Sequence, residues 1–140
     1  MATMKLLASL EAYADTLGVR IREAAVPGTW WGLYDHRYRL ITLKPGLCLA
    51  QWRSTLAHEL GHATYGHHGH HPKTERIADK WAAGHLLSTD LIMLHAKTTV
   101  NLGDLAASLD VMPWVVRTFI DLLTETELRW MIGELRDVYV

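Results

Sequence analysis

The chain has 140 residues, of which 49% are hydrophobic and 21% charged, and its formal net charge is −1. This length suits one compact core rather than two domains, and the charge balance removes any long-range pull toward nucleic acid or an anionic membrane. Cys48 is the single cysteine, so an intramolecular disulfide and a cysteine-based zinc cluster are both excluded, and a reducing compartment is the fitting environment.

The opening "MATMKLLASLEAYAD" has the start of a secretory leader, but Glu11 and Asp15 interrupt its apolar run too early. Instead, Leu6, Leu7, Leu10, Ala14 and Leu17 recur at helical spacing and Gly18 closes the segment, predicting an amphipathic helix over 3–17. "VRI" (19–21), "TWWGLY" (29–34) and "YRLITL" (38–43) are rich in β-branched and aromatic residues. Pro27-Gly28, Asp35-His36-Arg37 and Pro45-Gly46 bound them, so three short strands are expected, the last two as a hairpin. Adjacent Trp30 and Trp31, if both in a strand, face opposite ways, and one of them borders whatever cleft lies alongside.

From there the pattern is helical: about 51–65, 74–87, 89–96, 101–110 and 113–123, with Pro113 suited to a first turn. A last helix opens at Thr124, whose spacing to Glu127 has the form of a capping box, and runs to about Arg136. No apolar stretch approaches the roughly 18–20 residues that cross a bilayer, and a cytoplasmic location is expected. The fold class expected is α+β, with a short N-terminal helix, a small antiparallel-leaning three-stranded sheet and a helical remainder. "LGDLAASLDVMPWVVRTFI" has the rhythm of a helix-turn-helix. Its second segment offers Arg117 as sole cation, however, where a recognition helix needs several polar and basic side chains. It reads as a core helix or a surface for a protein partner, and no direct nucleic-acid contact is expected.

Six of the nine histidines fall in "LAHELGHATYGHHGHH" (56–71). His58, Glu59 and His62 spell H-E-x-x-H within a helical segment. Positions four apart are rotated by about 40° on a helix, so the two imidazoles face one way and can converge on one Zn²⁺ at about 2.0–2.1 Å. Glu59, about 100° round from His58, is placed to accept a proton from water rather than to bind the ion. The small and apolar residues around the motif (Leu56, Ala57, Leu60, Gly61 and Ala63) indicate a buried helix, where histidines need partners.

A catalytic zinc needs a third protein ligand and one open position. His68 stands where the metzincin pattern H-E-x-x-H-x-x-G-x-x-H places its third histidine, but the turning glycine comes one residue late, at Gly66 instead of position 65. Glu75 opens the next helix, and Asp79 one turn further on can hold the unligated nitrogen of a histidine ligand. Tyr65, His67, His68, His70 and His71 are candidates for stabilising a developing oxyanion, although a run such as "HHGHH" also suits a solvated loop.

The pair "LAHELGHA" and "ERIADKWAAGHLLS" resembles the ImmA/IrrE metallopeptidase family, whose pattern is H-E-x-x-H followed by E-x-x-A-x-x-F-A-x-x-L-L. The similarity covers about 38–88 closely, including "YRLITLKPGL", and the C-terminal helices loosely. Trp81 stands where the family has Phe, and no proline follows "LLS". The resemblance implies a single metallopeptidase-like domain over 1–140. A zincin-like core would span about 1–98, and a bundle of C-terminal helices, about 99–140, would pack on it. It also implies one catalytic Zn²⁺ on His58, His62 and Glu75, with Glu59 as general base. The implied substrate is a protein partner such as a helix-turn-helix repressor. A zinc-containing binding module without catalysis is the rival expectation, and intact Glu59 weighs against it.

Overall fold

The computed structural model describes residues 2–99 and 101–139, with side chains for 9–99 and 101–136; Leu6 and Leu7 of the first helical pattern thus lie outside the described side chains. The described residues form an α+β fold of seven helices and three strands. In chain order these are α1 (Ala2–Thr16), β1 (Arg20–Glu23), β2 (Gly32–Asp35), β3 (Leu40–Leu43), α2 (Leu49–Tyr65), α3 (Pro72–Leu86), α4 (Thr89–Ala96), α5 (Leu102–Ser108), α6 (Pro113–Leu122) and α7 (Glu125–Tyr139). None of the helices is long and apolar enough to cross a membrane.

The sheet is mixed, which corrects the antiparallel-leaning expectation. Its order is β1-β3-β2: β2 and β3 form the expected antiparallel hairpin, with Tyr34 opposite Ile41, but β1 pairs with β3 in parallel, with Ile21 opposite Ile41. The hairpin turns at 36–39, where Arg39 takes φ 47° and its amide donates to the His36 carbonyl. β1 joins the far side of this hairpin, and composition carries no signal for which flank it takes. β3 is therefore central. Ile41 and Thr42, which point to opposite faces, are both buried, as is Leu43. β2 is left as an edge strand beside α2.

The strand expected over 29–34 begins only at Gly32. Pro27 and Gly28 make a turn in which the Trp30 amide donates to the Pro27 carbonyl, so Trp30 and Trp31 precede the strand and do not alternate across it. A Cβ on Gly32 would lie 2.8 Å from Thr55 Cγ2, so β2 meets α2 at close quarters.

Helix α2 is the spine of the molecule. It packs against α1, α3, β2 and β3, and burial of Leu56 and Leu60 on it stabilises by about 2 kcal/mol each. At Gly61 a Cβ would stand 2.9 Å from Ala78 Cα, so α2 and α3 touch backbone to backbone. Glycine in the motif helix and alanine in α3 are what bring the two helices this close. Near its start α2 buries Arg53, whose Nη1 donates to the carbonyls of Leu109 and Asp110, and Ser54, whose Oγ accepts from the Met112 amide. These bonds hold the α5–α6 turn. Val115, Val116 and Phe119 then bury α6 against α3 and α5, with Arg117 exposed. One apolar cluster runs from Leu10 in α1 to Met131 in α7.

Candidate metal centre

His58, Glu59 and His62 occupy the second half of α2, and Glu75 and Asp79 the first turns of α3. The close α2–α3 contact at Gly61 and Ala78 puts the two sets face to face. One donor atom each from His58, His62 and Glu75 lies within 4.8 Å of the others. A tetrahedral zinc site has ligand separations of about 3.3 Å, so small side-chain adjustments suffice.

His58 is held by two carboxylates: Nδ1 is 2.7 Å from Asp79 Oδ1 and Nε2 is 2.8 Å from Glu75 Oε2. Burial alone would lower the His58 pKa, but the hydrogen bonds to Asp79 and Glu75 outweigh it and raise the value to about 10. The proton on Nε2 occupies the position from which this nitrogen would meet a cation. Glu75 shows the reciprocal effect, pulled down to about 2 by the His58 hydrogen bond against opposing burial.

His62 is 3% exposed. Burial, and then the neighbouring His58 charge, push its pKa down to about 4, so this ring is neutral. Its Nε2 comes within 3.0 Å of Glu75 Oε1 but is poorly aligned, which leaves a buried nitrogen without a hydrogen-bond partner. An orphaned imidazole nitrogen costs about 1–3 kcal/mol, and a cation on its lone pair would offset that. The set of two imidazoles and one carboxylate suits a borderline divalent ion such as Zn²⁺. The residues present therefore fit a metal.

Glu59 is 4% exposed. Burial pushes its pKa up to about 7, the His58 charge opposing, and the Tyr34 amide donates to it. Its Oε2 has no partner. The carboxylate borders a cleft of about 400 Å³ whose other walls include Trp30 and Trp31, Thr55, and Trp114 from the first turn of α6. Trp114 sits edge-on to the His58 ring, with centroids 6.0 Å apart. As a lone tryptophan in an apolar helix, it reads from sequence as core.

The histidine run divides. His68 is not brought to the centre; its ring meets that of His36, 4.7 Å away. Tyr65 is exposed and stacks on His67, and His71 precedes α3 as its cap residue. Of the five candidate oxyanion donors, His70 alone lines the cleft. His67 lies behind His62, Nδ1 to Nδ1 at 3.0 Å. Spacing singled out neither role, because loop geometry sets both. Comparison with protein-family models and with curated proteins returns no match for this chain.

Proposed function

We propose that the protein is a zinc-dependent endopeptidase of the ImmA/IrrE type that cleaves a protein partner, with a helix-turn-helix repressor as the partner class the sequence resemblance implies. One observation carries the reading. Two imidazoles and a carboxylate gather their donor atoms within 4.8 Å, directly beside a buried carboxylate with an unpartnered oxygen, at the wall of an open cleft. A purely structural metal site has no use for that carboxylate.

His58, His62 and Glu75 would hold the ion, and zinc there supplies a Lewis acid that polarises the scissile carbonyl and acidifies the attacking water. Glu59, with a pKa lifted to about 7, takes the proton of the attacking water on Oε2 and passes it to the leaving amine nitrogen. Asp79 keeps the His58 ring oriented through Nδ1. The indoles of Trp30, Trp31 and Trp114 shield the reacting centre from bulk water, and the edge position of β2 lets an extended segment of the partner run alongside it.

The test compares zinc-loaded wild type with Glu59→Gln, each incubated with a proteome whose new N-termini are then identified. Fragments produced by wild type and missing with Glu59→Gln, at equal zinc content, are the expected result. Identical fragment sets, or no fragments from either, overturn the peptidase reading.

A further inference from the structure

We propose that the 66–71 loop is an outer wall of the metal centre, in which His67 is the positioning residue of His62 and His70 that of Glu75. The proposal rests on the metal site described above and deepens it. Each of the three candidate ligands has one partner outside the cluster: Asp79 for His58, His67 for His62 and His70 for Glu75. Two of these three partners come from the histidine run.

For His62 to offer the Nε2 lone pair toward His58 and Glu75, its proton must sit on Nδ1. That N–H needs an acceptor, and His67 Nδ1, 3.0 Å away, supplies it. The acceptor role in turn puts the His67 proton on Nε2. A neutral imidazole thus does for His62 what a carboxylate does for His58, orienting the ring without adding charge. The end of α2 builds this contact. Gly66 takes φ 64° as the helix C-cap, and the His67 amide donates to the His62 carbonyl at 3.0 Å, so the two histidines are joined by both backbone and side chain.

Gly69, at φ 70°, turns the chain again and delivers His70. Its Nδ1 stands 3.0 Å from Glu75 Oε1, and its ring packs 4.4 Å from that of Trp30. His70 lies outside the tight donor cluster of His58, His62 and Glu75, so it acts on the carboxylate rather than on the ion. Trp30 holds it in place.

The experiment is zinc affinity, by competition with a chromophoric chelator, for full-length wild type, His67→Ala, His67→Asn and His70→Ala, together with the visible spectrum of each after cobalt substitution. Asn carries an acceptor oxygen close to where His has Nδ1. The expected result is zinc bound about 10–100-fold more weakly by His67→Ala, with an altered cobalt spectrum, and most of the affinity recovered in His67→Asn. His70→Ala, which loses a more exposed contact, should fall near the lower end of that range. Wild-type affinity and spectrum in His67→Ala overturn the proposal, as does an equal loss in Ala and Asn, which would reduce His67 to a space-filling role. The peptidase reading fails separately: zinc affinity that tracks His67 in a protein that cleaves nothing leaves this inference standing and removes the other.

Discussion

The two halves of α2 both bury polar side chains, and they treat them differently. In the first half, Arg53 and Ser54 reach across and bond to the backbone of Leu109, Asp110 and Met112. Both halves leave buried atoms unbonded, Nε and Nη2 of Arg53 in the first and Glu59 Oε2 and His62 Nε2 in the second. In the second half, however, Glu59 borders the cleft and His62 joins the donor cluster with His58 and Glu75. The same helix thus carries a structural grip on the α5–α6 turn at one end and a cluster of candidate donor atoms beside a cleft at the other. A buried polar group that bonds to another element locks packing even when some of its atoms stay unbonded, whereas unbonded atoms gathered with other donors beside a cleft mark a place where a ligand completes the structure.

The largest effect expected from breaking this contrast is on activity. Glu59→Gln should lower cleavage of a mapped substrate by about 10²–10⁴-fold while its melting temperature stays level or rises, because a buried, half-bonded carboxylate becomes a neutral amide. A calorimetric scan beside the cleavage assay checks both halves. At the other end, Arg53→Ala should destabilise by about 3 kcal/mol, since it opens a cavity and strips two carbonyls of their donor. Denaturant unfolding would show the loss with zinc present and with zinc chelated, and a loss confined to one condition would mean that the two ends of α2 are coupled.

Zinc should act in the opposite sense. At a free concentration about 100 times its Kd it should stabilise wild type by about 2.7 kcal/mol, and Glu75→Ala should lose that gain; elemental analysis of both proteins gives the stoichiometry. Ser54→Ala should cost about 1–3 kcal/mol by orphaning the Met112 amide, again in denaturant unfolding. The smallest effect lies far from both ends. In the capping box that opens α7, the Thr124 amide donates to Glu127 Oε1, the Glu127 amide donates to Thr124 Oγ1, and the Glu127 carboxyl is held below its ordinary value. A depressed folded pKa adds stability above the unfolded value, and this is lost as pH falls through the folded one. Thr124→Ala should therefore shift the melting curve slightly near neutral pH and less in acid.

Much of this is legible in the amino-acid sequence. The H-E-x-x-H spacing puts two imidazoles on one helix face, and Asp79 falls one turn after Glu75, because helical periodicity is a local property. Of the two candidate third ligands, Glu75 and His68, the structure gathers Glu75 with His58 and His62 and leaves His68 against His36. The capping box at Thr124 and the Pro113 helix start are local for the same reason. Trp30 and Trp31 were misplaced on a strand, because a turn at Pro27-Gly28 holds them ahead of it. Nothing local marks Trp114, since its place beside His58 depends on how α6 crosses α3.

The sequence by itself predicts the helices, the hairpin and the placing of His58 and His62 on one helix face, all written in near-neighbour spacings, whereas Glu75 meets them only because α3 packs against α2. Tertiary structure decided which flank of β3 receives β1, which histidines of the run face the centre, and that Arg53 belongs to the core. Those outcomes depend on contacts between residues far apart in the chain, such as Arg53 with Leu109 and Trp30 with His70. No local pattern encodes them, because their energies exist only once the elements have packed.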